Sequence, residues 1–272
     1  MILMGIVNLT PDSFWEKSRA TDAEAIRQRI SDLVGRGCSI IDFGAVSTRP
    51  GAADVSLEEE WRRLEPALEA ASRLVQDLRH PRLRGGTMNE ENGGAKRSEA
   101  VGTNLPAASI DTTRAEIVRR VYKTIGPFIV NDISAGEDDP EMLRTVADLG
   151  LPFIAMHKRG NPGSMDSLTY YPNGVVKAVD EYFREFAHKA ERLGIREWIL
   201  DPGFGFAKTP EQNWELLEKL GNFRHFGRPI LAGVADKRFT RTQNPYDSCM
   251  NTGSSYAEEL AKKRGADILR VH

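Results

Sequence analysis

The feature that most constrains this chain is a recurrence. Apolar runs of strand length, each followed by a short polar motif, return at the spacing of one βα unit. The motifs are Asn8 in GIVNLTPDSF, Thr48-Arg49-Pro50 in STRPG, Asp111 in SIDT, Asn131-Asp132 in VNDIS, Asp201 in DPGFGFAK, and Arg270 with His272 in RVH. Strands alternating with helices build a parallel sheet, and in a parallel α/β barrel all strands open their carboxyl ends on one face. Polar motifs at those ends therefore converge on one pocket.

The apolar runs predict strands near 2–7, 39–43, 107–110, 127–130, 152–156, 197–200, 229–233 and 266–271. Amphipathic stretches predict helices near 21–36, 56–78, 113–124, 139–149, 172–193, 210–220 and 251–264. Eight strands with seven helices, in a chain of 272 residues, point to a single-domain (β/α)8 TIM barrel of the α/β class. The chain stops at His272 on the eighth strand, so the C-terminal helix that normally covers that strand is expected to be missing from the sequence. Residues 85–104, GGTMNEENGGAKRSEAVGTN, are too poor in large apolar side chains to pack and are expected to form a flexible polar excursion.

Several function classes are excluded early. Net charge is −2 and the Lys and Arg residues are dispersed, which leaves no electrostatic footprint for nucleic acid or an anionic membrane. Cys38 and Cys249 are the only cysteines, too few for a disulfide framework in a chain of this size. The start MILMGIVN has no basic leader region and reads as a strand, and no apolar run reaches membrane-spanning length. A soluble, cytoplasmic protein is expected. GFGFAK lacks the spacing of a phosphate or dinucleotide fingerprint, and the five histidines and two cysteines lack zinc-ligand spacing.

Taken together, GIVNLTPDSF, STRPG, SIDT, VNDIS, the His157 to Met165 stretch, DPGFGFAK and RGADILRVH resemble the dihydropteroate synthase family, and the matches run in family order from residue 4 to residue 272. The resemblance implies an enzyme of folate synthesis, a transferase that joins the diphosphate ester of a hydroxymethyl dihydropterin to 4-aminobenzoate and releases pyrophosphate. It implies a pterin subsite of Asp111, Asn131, Asp132, Met156, Asp201, Phe206, Gly233 and Lys237. The physical reading agrees with it: a pterin edge carries N–H donors that carboxylates accept, and an amide both donates and accepts. A single Asp after a strand more often caps the next helix, which is the competing reading for Asp111 and Asp201.

By the same resemblance, Asn8, Arg49, Arg270 and His272 hold the diphosphate, with Asn8 a ligand of Mg²⁺. Charge-assisted hydrogen bonds from such donors suit a diphosphate, although a lone cation at a strand end is commonly a solvated rim charge. Phe14, Thr48, Pro50 and Arg238 would face the aminobenzoate, while Asp12, Glu16 and Lys237 would act in catalysis. Residues 9–20 and 44–55 are polar, punctuated by Pro and Gly, and long enough to act as lids. The resemblance further implies a homodimer and a sulfonamide target. Two departures stand out: Glu16-Lys17-Ser18 replace an Asp followed by two glycines, and Ala235-Asp236 precede Lys237 where the family reads Ser-Arg-Lys. A pterin-binding paralogue without catalysis and a pterin-dependent methyltransferase domain are the alternative readings.

Overall fold

The computed structural model describes residues 1–10, 19–47, 54–72, 106–161 and 163–272. The elements alternate as the apolar runs require. They are β1 Ile2–Asn8, α1 Arg19–Gly35, β2 Ile40–Gly44, α2 Leu57–Ser72, β3 Ala107–Asp111, α3 Ala115–Ile125, β4 Ile129–Asp132 and α4 Met142–Leu149. There follow β5 Phe153–Met156, α5 Val175–Leu193, β6 Trp198–Asp201, α6 Pro210–Glu218, β7 Leu231–Ala232, α7 Ser254–Arg264 and β8 Ile268–Val271. Among the described residues three short 3-10 helices, Met165–Ser167, Leu220–Phe226 and Arg238–Arg241, sit in the connections.

All strands pair in parallel, in the order β6-β5-β4-β3-β2-β1-β8-β7. A bridge between Leu200 and Ile230 joins β6 to the start of β7, so the sheet turns back on itself as the expected barrel. The predicted run 229–233 contracts to two paired residues in β7, between Pro229, which has no N–H to donate, and Gly233. Seven α-helices are present among the described residues, and the outward-facing Leu269 and Val271 of β8 are nevertheless buried. The predicted excursion at 85–104 lies outside the described residues.

Side chains on a strand alternate between the barrel interior and the helices, and this period of two positions the site. One apolar layer fills the interior: Met4, Ile40, Ile129, Ile154, Ile199, Leu231 and Ile268, with Ile2 and Ala107 against it. Every strand contributes to it. The opposite faces of the strands pack on the helices; Val7, Phe43, Ile110 and Val130 meet residues such as Leu33, Leu64, Val118 and Val146 in the larger core. Fully burying such a side chain stabilises by ~1.5–3 kcal/mol. Helix α1 approaches β1 closely because Gly5 has no side chain; a Cβ there would stand 2.7 Å from Leu33 Cδ2. Helix α6 starts on a capping box, Thr209 accepting from the Gln212 N–H while the Gln212 side chain accepts from the Thr209 N–H, with Pro210 at its first position.

Candidate active site

Two residues beyond the apolar layer, the same inward positions turn polar. Ile40 leads to Asp42, Ala107 to Ser109, Ile129 to Asn131, Ile199 to Asp201 and Ile268 to Arg270. Asp42, Ser109, Asn131 and Asp201 are all buried. Ser109 Oγ donates to Asp42 Oδ1 at 2.7 Å, and Asn131 Nδ2 donates to Asp42 Oδ2 at 3.0 Å. Asp201 Oδ1 accepts the N–H of Gly203 at 2.8 Å. Asp42 was not among the residues that the sequence motifs singled out. The alternation within IIDFG was the signal for it.

Above this polar layer stands a small apolar cluster of Ile133, Met156, Met165, Phe206 and Ala207. Met156 and Phe206 were expected in the site. Ile133 follows Asn131 by two and was accessible to the same periodicity, whereas Met165 reaches the cluster from a 3-10 turn that no period announces. Lys237 closes one side. Its Nζ lies 4.8 Å from the Phe206 ring centroid, a cation–π distance, and its stem runs past Gly205, where a Cβ would stand 3.3 Å from Lys237 Cδ. Arg270 crosses Gly233, where a Cβ would stand 3.3 Å from the Arg270 Nε. Gly233, expected in the pterin subsite, thus serves as the seat of Arg270.

Burial dominates the electrostatics of this pocket. It raises the carboxyl groups of Asp42 and Asp201 above the usual range, against the pull of Arg270. Asp111, half-buried at the end of β3, is pushed up by burial first and by the charge of Asp42 second. The acid form of Asp111 is favoured, so it can donate as well as accept, where the sequence suggested an acceptor alone. Lys237 is pushed down to about 8 by burial and then by Arg270. Such a pocket resists further like charge and suits a flat, hydrogen-bonding ring with an anion beside Lys237 and Arg270.

Asp132 differs from its expected place. It alternates with Asn131 and spends both carboxylate oxygens on the following loop, accepting from the Ser134 N–H and Oγ at 2.7 Å each and from the Gly136 N–H at 2.8 Å. It shapes the β4–α4 turn, as an Asp after a strand commonly does.

The DPGFGFAK loop is tied down by a residue whose role the motif did not reveal. Lys208, buried behind the loop, donates to Gly203 O, Phe206 O and His157 Nδ1, each at 2.9 Å. Burial lowers Lys208 to about 7 and keeps His157 well below its usual range. His157 is accordingly neutral, accepting at Nδ1. Gly203 has φ +71°, and a Cβ there would lie 2.0 Å from the His157 carbonyl oxygen, so only glycine lets the loop pass. Phe206 is aimed by this arrangement.

The remaining expected residues divide. Asn8 ends β1, half-buried, beside Gly44 of β2. His272 stands on the rim, its carbonyl held by Arg36 Nη1 at 2.5 Å; partial desolvation lowers its imidazole while Asp236 pulls it up. Asp236 itself has φ +54° and donates its N–H to Ser254 Oγ at 3.0 Å. Arg238 opens a 3-10 turn and is exposed. Asp12, Phe14, Glu16, Thr48, Arg49 and Pro50 lie outside the described residues. Among the described residues no group of three or more His, Cys, Asp or Glu side chains could hold a metal ion, and no helix is long and apolar enough to cross a membrane.

The comparisons with known proteins agree with this geometry. The family profile described as Pterin binding enzyme matches residues 4–79 and 99–272. The chain is 36% identical over 276 residues to a dihydropteroate synthase of Synechocystis sp., spanning 99% of this chain and 84% of that protein. It is 35% identical over 273 residues to the dihydropteroate synthase of Escherichia coli, spanning 99% of this chain and 86% of that one. The structure of Xanthomonas albilineans dihydropteroate synthase with 4-aminobenzoic acid superposes with a TM-score of 0.74 at 33% identity, covering 100% of this chain and 87% of that chain.

Proposed function

The chain belongs to the pterin-binding enzyme family, among its dihydropteroate synthases, and on that premise we propose how its residues share the reaction. The transferase joins (7,8-dihydropterin-6-yl)methyl diphosphate to 4-aminobenzoate, giving 7,8-dihydropteroate and pyrophosphate. The pterin ring lies on the layer formed by Asp111, Asn131 and Asp201, between apolar walls that include Met156 and Phe206. The diphosphate lies toward Lys237, Arg270 and His272. Arg49 joins the diphosphate set, and Phe14, Thr48, Pro50 and Arg238 face the arylamine.

The methylene C–O bond breaks first, its electron pair leaving with the diphosphate. The methylene cation left behind is delocalised into the pterin. Lys237 and Arg270 neutralise the departing charge, while Asp201, Asp12 and Glu16 face the cation. The arylamine nitrogen then forms the new C–N bond and loses a proton. No covalent enzyme intermediate is required.

Mg²⁺ fits this end as an ion shared with substrate. Asn8 offers one hard amide oxygen, the small protein share that Mg²⁺ takes at phosphate sites, where substrate oxygens and water complete its shell. When bound it would add positive charge at the leaving group. Family membership likewise supports a cytoplasmic homodimer and a sulfonamide-sensitive arylamine pocket.

The single observation that carries this reading is the polar layer of Asn131, Asp201 and Asp111 beside the Lys237–Arg270 pair, walled by Met156 and Phe206. Incubation with both substrates and Mg²⁺ should release dihydropteroate and pyrophosphate in equal amounts. Pterin binding without turnover would instead favour the non-catalytic paralogue. Calorimetry adds a second check: pterin, pyrophosphate and Mg²⁺ together should create binding of 4-aminobenzoate or a sulfonamide that the apo-protein lacks.

A further inference from the structure

Asp42 is a buried carboxylate to which the reaction as divided above gives no task. Its two oxygens are spoken for, Oδ1 by Ser109 Oγ at 2.7 Å and Oδ2 by Asn131 Nδ2 at 3.0 Å. The second bond matters for recognition. A primary amide donates from nitrogen and accepts at oxygen, and its two ends are nearly the same size. A carboxylate can hold only the nitrogen end. With Nδ2 committed to Asp42, Asn131 turns its oxygen the other way. That oxygen meets no protein donor among the described residues, yet it is not an enclosed orphan. A buried polar atom normally has a partner, so an accepting atom left open at the pocket layer is a position for a ligand donor.

We propose that Asp42 is a positioning residue that locks the Asn131 amide with its oxygen toward the ring subsite, so that this point of the pocket reads an N–H of the ligand and rejects an acceptor. The inference rests on the pterin reading of the pocket. Ser109 completes the relay by holding the other Asp42 oxygen, so the orientation is set by side chains of the barrel interior before any ligand arrives.

The test is a reciprocal swap. Asp42→Asn replaces the acceptor that holds Asn131 with an amide that can donate, which lets Asn131 turn over and present its nitrogen to the ligand. Asn131→Asp alone sets two carboxyl groups against each other. In the double variant Asp42→Asn/Asn131→Asp, the amide at position 42 accepts from Ser109 and donates to the carboxylate at position 131, whose other oxygen again accepts from the ligand.

Calorimetric titration with hydroxymethylpterin should show each single variant weakened by about 10-fold or more, on the scale of a lost buried hydrogen bond. The double variant should return to within about 3-fold of wild type. A residue that merely filled space would not show this reciprocity. Normal binding by Asp42→Asn, or a double variant no better than the weaker single, overturns the proposal. Where a variant fails to fold, the wild-type protein decides. The Asn131 side-chain NH₂ resonance should carry the downfield shift of donation to a carboxylate and keep it on titration with hydroxymethylpterin; an unshifted resonance, or one that moves to the ligand, overturns the lock. A wild-type protein that shows the shifted resonance but binds no pterin supports the lock and refutes the pterin reading.

Discussion

Asp201→Asn separates recognition from architecture, because it keeps every heavy atom and changes only charge and hydrogen-bonding sense. The Gly203 N–H that donates to Asp201 Oδ1 at 2.8 Å can donate equally well to an amide oxygen. Keeping that bond turns the new nitrogen to where the second carboxylate oxygen stood, and a ligand N–H then meets a donor. A hydrogen bond to a charged group contributes ~1.5–3 kcal/mol and an unpaired buried polar group costs ~1–3 kcal/mol. These overlap, since they describe one contact, and together amount to ~2–4 kcal/mol of lost transition-state stabilisation. At ~1.4 kcal/mol per decade this is ~30–1,000-fold in kcat/KM. Stability should move little. Burial raises the Asp201 carboxyl above its usual 3.8, so the folded state binds that proton more tightly than the unfolded chain and the ionised group costs stability near neutral pH. Removing the charge relieves that cost but also removes its attraction to Arg270, Lys237 and Lys208. Pyrophosphate release at varied pterin concentration, beside thermal unfolding, measures both. A kcat/KM within about 3-fold of wild type would remove Asp201 from substrate recognition, and a loss of activity that follows a large fall in Tm would make it architectural.

Three further outcomes are expected. In the proposed reaction the protonated form of Lys237 holds the diphosphate, and burial pushes this group down to about 8, so kcat/KM should fall as pH rises through that value; Lys237→Arg should move this limb to higher pH, and an unmoved limb refutes the assignment. Lys208 is lowered to about 7 from a lysine's usual 10.5, so the unfolded chain binds a proton that the fold lacks between these values, and stability should rise with pH across that window by up to ~1.4 kcal/mol per unit. Denaturant titrations of wild type and Lys208→Met at several pH values should show this slope in the first and its loss in the second; equal slopes count against it. Gly203→Ala forces a Cβ to 2.0 Å from the His157 carbonyl oxygen at φ +71°, and should cost more than about 2 kcal/mol with a loss of pterin affinity by calorimetry; an unchanged Tm would show that the loop gives way.

How much was legible in the sequence follows from where each signal is stored. The strands emerged as apolar runs and the seven helices as amphipathic stretches, because those periods are written residue by residue. Asp111, Asn131 and Asp201 were visible for the same reason, at the ends of runs that must be strands. Asp132 was misplaced because adjacency in a motif is not adjacency in space; one step along a strand turns a side chain to the other face. Lys208 was visible as a letter of GFGFAK, yet its bonds to Gly203, Phe206 and His157 join two loops.

The class of fold and the face on which the chemistry gathers follow from residue pattern alone, since alternation of strand and helix leaves a parallel barrel few alternatives and sends every strand end the same way. How those ends meet is a matter of packing in three dimensions. That Asp42 holds Asn131, that Asp111 feels the charge of Asp42, that Lys237 lies over Phe206 and Arg270 over Gly233, and that burial moves the protonation equilibria of Asp42, Asp111 and Lys237, depend on contacts between segments far apart in the chain. Hydrogen bonds act over about 3 Å and desolvation over the enclosing wall, and neither distance exists until the barrel closes.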